Sequence, residues 1–358
     1  MRESWSRALL ASIVWGCNAG APAVSEASKA ERPSPPATLP AAAAPAAREA
    51  SSAATGPAGA SSAATGPAAA APAAPAQEAD FRYPAPARLI AIGDLHGDLA
   101  RARAALRLGG AIDSDDHWVG GTLVVVQTGD EIDRADEDRD VLDLFERLTE
   151  QASAAGGRVV ALNGNHEIMN VQGDYRYVTP GAVEPFAGVS PRSALARDRA
   201  SPFAARAAAF LPGGGYALKL AKRDVIAQVG DSVFVHGAVL PEHVSYGIAR
   251  INAETRAWMQ GGPAKAPAIV ASERGPVWVR DFSLEPVSEQ TCAVLGRVLA
   301  ALGARRMVVG HTPQKSGITS GCSDRVYRID VGLSRFYGGP LQILQITPRG
   351  VEILKAVR

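Results

Sequence analysis

Three glycine-bounded turns constrain this chain more than anything else in it. They are Gly93-Asp94-Leu95-His96-Gly97, Gly129-Asp130-Glu131-Ile132-Asp133-Arg134 and Gly164-Asn165-His166-Glu167. Each follows an apolar run of strand length, at 88–92, 123–127 and 158–162. Each turn therefore falls at the carboxyl end of a buried strand, where open α/β sheets carry their sites. Two more His-bearing turns, Val235-His236-Gly237 and Gly310-His311-Thr312, also close apolar runs, so four of the six His sit at strand ends. The side chains on offer are carboxylate, imidazole and carboxamide, without thiolate, which suits hard or borderline divalent cations.

Between these turns the hydrophobic spacing alternates strand and helix. Residues 98–108 read as a helix with Leu99, Ala102 and Leu106 on one face, stopped by Gly109-Gly110, and 136–154 as a second with Val141, Leu144, Phe145 and Leu148 as its stripe. This βαβαβ order predicts a parallel sheet with right-handed crossovers. Residues 168–222, rich in Gly, Pro and Ala, break the rhythm and are expected to form an inserted cap over the site. Residues 225–229 and 232–236 flank Gly230-Asp231 as a hairpin. Helices at 248–259 and 290–302 and a strand at 306–309 follow. Strands at 326–330, 341–346 and 351–355 are expected in a second, more antiparallel sheet. The whole is an α/β arrangement of two sheets face to face with helices outside.

Composition fixes the limits of the folded part. The net charge of +1 excludes a general nucleic-acid binder. Residues 1–17 have the form of an export signal: Arg2 and Arg7, a short apolar run and Gly16-Cys17. The ending resembles a lipoprotein signal with Cys17 as the lipidated residue, although Trp15 stands where a small residue is usual; plain secretion or an unprocessed N-terminus is the alternative. Residues 18–83 are Ala, Pro, Ser and Gly, with one octet repeated at 51–58 and 61–68, and are expected to be a disordered tether to a folded domain spanning 84–358. These readings make the protein exported, periplasmic or held at the outer membrane by its lipid. Cys292 and Cys322 remain, and sequence separation leaves open whether they pair.

Asp94 and His96, one residue apart in an extended turn, are able to face one cation together. Asp130 has two oxygens and is placed to bridge to a second cation, whose shell Asn165, His236 and His311 complete. Two such cations clamp a phosphate and acidify a shared water, the expected attacking nucleophile. His166 follows Asn165 directly and points elsewhere, so it is assigned to protonate the leaving oxygen, with Asp133 holding its other nitrogen. Arg134 offers a fork for two phosphoryl oxygens.

These turns, read in order as GDLHG, GDEIDR, GNHE, VHG and GHTP, resemble the calcineurin-like metallophosphoesterase superfamily, its phosphoprotein phosphatases, and within them the bacterial Shewanella-like protein phosphatases. The stretches 164–178, 233–246, 276–283 and 328–339 carry the resemblance, which runs from about residue 87 to the C-terminus. It implies a four-layer αββα sandwich of two mixed β-sheets flanked by helices, and a pair of divalent ions of Mn, Fe or Zn type. It implies Asp94, His96 and Asp130 at one ion and Asp130, Asn165, His236 and His311 at the other. It also implies His166 with Asp133 as the acid pair and Arg134 as a phosphate ligand. Ala135 and Ala238 depart from residues common in the superfamily, and Gly310-His311-Thr312 lacks the second His of the wider superfamily's GHxH.

Arg280 is expected as a second phosphate arginine, and Tyr175, Arg176 and Tyr177 as cleft residues that bind substrate. Glu167 is expected to support the ligands rather than join them. Tyr337 is a candidate for the cleft edge, and His117 and His243 are taken as ordinary. The resulting expectation is a metal-dependent phosphatase acting on phosphotyrosine or phosphoserine/threonine in proteins, with phosphotyrosine implied first. Hydrolysis of nucleotides or other small phosphate esters is the alternative within enzymes, and a surface lipoprotein that only binds a partner is the alternative outside them.

Overall fold

The computed structural model describes residues 81–189 and 202–356. The expected export signal, Cys17 and the tether up to residue 80 lie outside the described residues.

β1 (Arg82–Tyr83) is short; β2 (Leu89–Ile92), β3 (Val124–Gln127) and β4 (Arg158–Ala161) then run parallel, Leu89 beside Val124 and Val124 beside Arg158. β2 and β3 are buried throughout, as expected for continuous apolar runs covered on both faces. The crossovers are α1 (Leu99–Leu108) and α2 (Asp138–Ala154). Asp98 caps α1 by accepting the Arg101 N–H at 3.1 Å, which satisfies one of the helix's orphan donors. α3 (Asn165–Gln172) follows β4 directly, and two single-turn 3₁₀ segments (Pro180–Ala182 and Glu184–Phe186) lead on towards α4 (Ala204–Phe210) and α5 (Gly215–Leu220).

β5 (Ile226–Val229) and β6 (Ser232–Val235) form the hairpin. After α6 (Pro241–Tyr246), α7 (Ile248–Met259), α8 (Ala268–Ala271) and α9 (Glu289–Leu302), β7 (Arg306–Val309) joins β6 in parallel. β8 (Thr319–Gly321) and β9 (Val326–Arg328) complete a six-stranded sheet ordered β1-β5-β6-β7-β9-β8. The first sheet has five strands, β11-β10-β2-β3-β4, because β10 (Gln342–Thr347) lies antiparallel to β2 and pairs with β11 (Gly350–Lys355). This corrects one expectation. Of the three C-terminal strands only β9 belongs to the second sheet, while β10 and β11 extend the first. Alternation within a strand identifies its faces but carries no information on which sheet edge receives it.

The sandwich is visible in the side-chain period of two of the described strands. On β6, Phe234 belongs to the core shared with the first sheet, whereas Val233 and Val235 belong to the core under α7 and α9. On β7, Val308 joins the former and Met307 and Val309 the latter. The fold is thus two mixed sheets face to face with helices outside. Within the expected cap, Phe186, Phe210 and Tyr216 meet at ring separations of 4.9–5.7 Å and join the second core. That part of the insert is anchored in the domain rather than draped on it.

Cys292 on α9 and Cys322, beside the turn between β8 and β9, form a disulfide across a separation of 30 residues. Closing a loop of that length removes unfolded-state entropy equivalent to about 3–4 kcal/mol. Cys322→Ser is therefore expected to lower unfolding stability by up to about that amount, read as a lower denaturant midpoint. Dithiothreitol should bring wild type to the same midpoint and leave the variant unmoved.

Candidate metal centre

The turns after β2, β3, β4, β6 and β7 converge at the carboxyl ends of both sheets. Asp94, His96, Asp130, Asn165 and His236 are all buried, and His311 is 7% exposed. The backbone is bent to bring them there. Among the described residues nine non-glycine residues have positive φ, and five are His96, Asp130, Asp133, Arg134 and His311. Such conformations cost energy and persist where the surroundings over-determine them. Gly129 has φ +93°, and a Cβ on it would stand 2.5 Å from the Gly164 nitrogen, so the second and third turns meet backbone to backbone.

Hydrogen bonds fix the tautomers. His236 Nδ1 lies 3.0 Å from the Thr128 carbonyl and His96 Nδ1 lies 3.2 Å from the Ile132 carbonyl. A carbonyl only accepts, so both Nδ1 atoms carry the proton and both Nε2 atoms present lone pairs. Around His236 Nε2 stand Asn165 at 2.8 Å (Oδ1), Asp130 at 3.1 Å (Oδ2) and His311 at 3.1 Å (Nδ1). Four potential ligand atoms face one another. Asp130 Oδ2 also lies 3.8 Å from His166 Nε2, and His96 completes a second group of three around it. His311 Nε2 and the Asp330 Oδ2 atom are buried without a hydrogen-bond partner.

The electrostatics agree with this reading. Burial, then Asp330 and Asp130, push the Asp94 carboxyl well above the ordinary carboxylate range. Burial drives the His96 imidazole down to about 3, with His166 adding to it, and holds His311 well below its usual value, helped by His236. Burial would raise Asp130, but the His236 and His166 rings, when they carry a proton, outweigh it and hold it well down. Crowded acceptors and neutral imidazoles are what a divalent cation needs and what bare protein finds costly. The residues present fit a pair of cations sharing Asp130.

Beyond the ligand cluster, His166 Nδ1 lies 2.6 Å from Asp133 Oδ2. Burial opposes the charged ring, yet Asp130 and Asp133 raise His166 above the ordinary His value. The guanidinium of Arg134 sits over the Tyr177 ring at 4.0 Å and the Phe336 ring at 5.3 Å, its Nε without a partner. Tyr177 also packs on His166, and Tyr337 on His96 at 5.3 Å. Arg280 is within the field of Asp130, Asp94 and Asp330. Glu167 ties the turns together: its carboxylate accepts the Asp130 N–H at 2.8 Å, the Glu131 N–H at 2.9 Å and the Gly164 N–H at 2.7 Å.

Two expected cleft residues stand apart from this group. Arg176 is exposed and pairs with Asp174 at 2.6 Å, and Tyr175 packs on Phe203 with its hydroxyl unpartnered. His243 is buried, joining α6 to the Arg274 carbonyl at 2.8 Å, and His117 is exposed. Three residues that sequence reasoning passed over do reach the centre. Asp330 lies beside Asp94 and is pushed up by burial to about 6; its signal is a further apolar run ending in Asp330-Val331-Gly332. Asn170 and Arg206 reach Asp133, and nothing in their spacing announces it.

A fold of two mixed sheets with this ligand cluster at their carboxyl ends is that of a metallophosphoesterase. The chain matches the calcineurin-like phosphoesterase family over residues 87–315 and belongs to it. It is similar to Shewanella-like protein phosphatase 2 of Arabidopsis thaliana, 43% identical over 288 residues that cover 71% of this chain and 73% of that one. Shewanella-like protein phosphatase 1 of Plasmodium berghei is 30% identical over 262 residues, 71% of this chain and 69% of the relative. The crystal structure of a cold-active protein-tyrosine phosphatase from a psychrophilic Shewanella superposes with a TM-score of 0.63 at 25% identity, covering 77% of this chain and 83% of that one. The protein is a hydrolase, and its family implies divalent metal ions and a phosphorylated substrate.

Proposed function

We propose that the chain is an exported protein phosphatase that hydrolyses phosphomonoesters, phosphotyrosine before phosphoserine or phosphothreonine. The observation that carries the reading is the set of four potential ligand atoms gathered at His236 Nε2, with the partly unpartnered Arg134 guanidinium nearby. Asp94, His96 and Asp130 would hold one cation, and Asp130, Asn165, His236 and His311 the other. When bound, two such cations supply positive charge to the phosphoryl oxygens and bring a water's acidity into the neutral range.

The remaining work falls to side chains. Arg134 binds phosphoryl oxygens with a fork stiffened by the Tyr177 and Phe336 rings beside it. Arg280 adds charge at the mouth, and Arg176 and Tyr175 act only on the parts of a protein substrate lying further out. His166 Nε2 hands its proton to the leaving oxygen while Asp133 holds the other edge of the ring. Phe336, 57% exposed, and Tyr337 give the mouth an aromatic rim that suits an aryl ester. The names of similar proteins support protein substrates, and the disulfide supports an oxidising compartment. A lipid on Cys17 would hold the enzyme at a membrane.

Chelation should abolish p-nitrophenyl phosphate hydrolysis, and Mn, Fe or Zn should restore it. Metal analysis of the active protein should return about two ions per chain. Phosphotyrosine peptides should then be turned over with higher kcat/KM than nucleotides. Faster nucleotide turnover would make the chain a small-molecule phosphohydrolase instead, and metal-loaded protein without any turnover would make it a binding module.

A further inference from the structure

Asp133 is completely buried and does more than meet His166. Its Oδ1 accepts from Arg206 Nη2 at 3.0 Å, and Asn170 Nδ2 donates to both its oxygens at 3.0 and 3.1 Å. Its backbone N–H donates to Asp138 Oδ1 at 2.9 Å. Arg206 comes from α4, in the inserted segment, and is itself completely buried. Its Nε donates to Asn170 Oδ1 at 2.6 Å, its Nη1 to the Ala182 carbonyl at 2.9 Å, and its Nη2 forms an ion pair with Asp138 at 2.7 Å. Phe210 and Phe186 rings lie 4.7 and 5.4 Å from its guanidinium carbon.

We propose that Arg206 is a positioning residue for the proton donor: the insert delivers a guanidinium that locks Asp133, and through Asp133 the ring of His166. The inference rests on the role assigned to His166 above. Two observations carry it. A guanidinium is rarely buried without paired charges, and here its Nη2 meets two carboxylates, one of which is already bonded to the imidazole. The guanidinium also fixes geometry. A carboxylate held on Oδ1 by Arg206 and on both oxygens by Asn170 cannot swing, so its Oδ2 stays 2.6 Å from His166 Nδ1. The imidazole then keeps one face towards the reacting oxygen.

An arginine that merely pins the insert to the domain would behave differently. Its loss would lower stability, and would lower turnover equally for every ester. Loss of a positioned acid hurts most where the leaving oxygen needs a proton. Unsubstituted phenyl phosphate and p-nitrophenyl phosphate separate the two cases, because p-nitrophenolate leaves readily as an anion and phenolate does not.

The test measures kcat and KM for both esters on the metal-loaded protein with Arg206→Leu, Arg206→Lys and His166→Asn. His166→Asn should lose about a hundredfold more kcat on phenyl phosphate than on p-nitrophenyl phosphate. Arg206→Leu should show the same asymmetry at about tenfold, with KM little changed, and Arg206→Lys, which keeps the charge without the fork, should fall between wild type and Arg206→Leu. If Arg206→Leu does not fold, Arg206→Lys carries the test with the same asymmetry. Equal losses on both esters in the Arg206 variants, with His166→Asn still discriminating, would overturn the proposal and leave the acid role intact. Equal losses in His166→Asn itself would remove that role, and the Arg206 proposal with it.

Discussion

Asp130→Asn should cut kcat/KM by about 10³-fold or more and strip the protein of most of its metal. Asp130 is the one residue common to both clusters, with Oδ2 at 3.1 Å from His236 and 3.8 Å from His166. With Asp130 as the proposed bridge, an amide in its place would remove a full negative charge from between two cations. It also presents an NH₂ where only lone pairs are welcome. The change keeps the volume, so the melting temperature of the apo-protein should move little or even rise. His166→Asn offers the contrast. It should retain its metal and lose less activity, because the proton donor contributes about 10²–10⁴-fold and only for poor leaving groups. Metal content by elemental analysis beside kcat/KM on phenyl phosphate separates the two. Equal activity losses with full metal occupancy in both variants would contradict Asp130 as the bridge.

The second large effect concerns stability. Glu167→Ala should cost about 4–6 kcal/mol, taking three orphaned donors at about 1–3 kcal/mol each and allowing for partial relaxation. The carboxylate is completely buried and accepts N–H groups from Asp130, Glu131 and Gly164, residues on two separate turns. Glu167→Gln keeps one oxygen but turns an amide hydrogen towards the donors the other oxygen served, so it should fall between wild type and Glu167→Ala. Urea unfolding of the apo-proteins measures this without the contribution of bound metal. A shift in Glu167→Ala of under about 1 kcal/mol would mean that the turns hold each other without the carboxylate.

Local grammar explains which parts of this architecture the sequence announces. β2, β3 and β4 begin and end within a residue of the apolar runs at 88–92, 123–127 and 158–162, because strands buried on both faces must be apolar throughout. The turns that follow them carry Asp94, His96, Asp130, Asn165 and His166, and the structure gathers these with His236 and His311. The parts that are silent depend on contacts between distant segments. Arg206 sits in Ala-Ala-Arg-Ala-Ala-Ala-Phe, where a single cation in an alanine helix reads as a solvated side chain. Only the folded insert turns it inward onto Asp133. Arg176 shows a different gap: beside two tyrosines it reads as a cleft residue, and its pairing with Asp174, two positions away, at the exposed surface is not legible from that spacing. Partner choice for β10 escapes for a related reason, since its best match is Ala91 opposite Leu344, about 250 residues earlier in the chain.

The amide of His311 donates to Asp94 across 217 positions of chain. Contacts of such high sequence separation form only against the entropy of closing a long loop, which slows folding. A half-made cage at the end of the first sheet would bind cations weakly, so metal loading should be one of the last events in maturation. The cations the enzyme carries would then be chosen by the supply in whichever compartment folding finishes, and less by the intrinsic preference of its ligands.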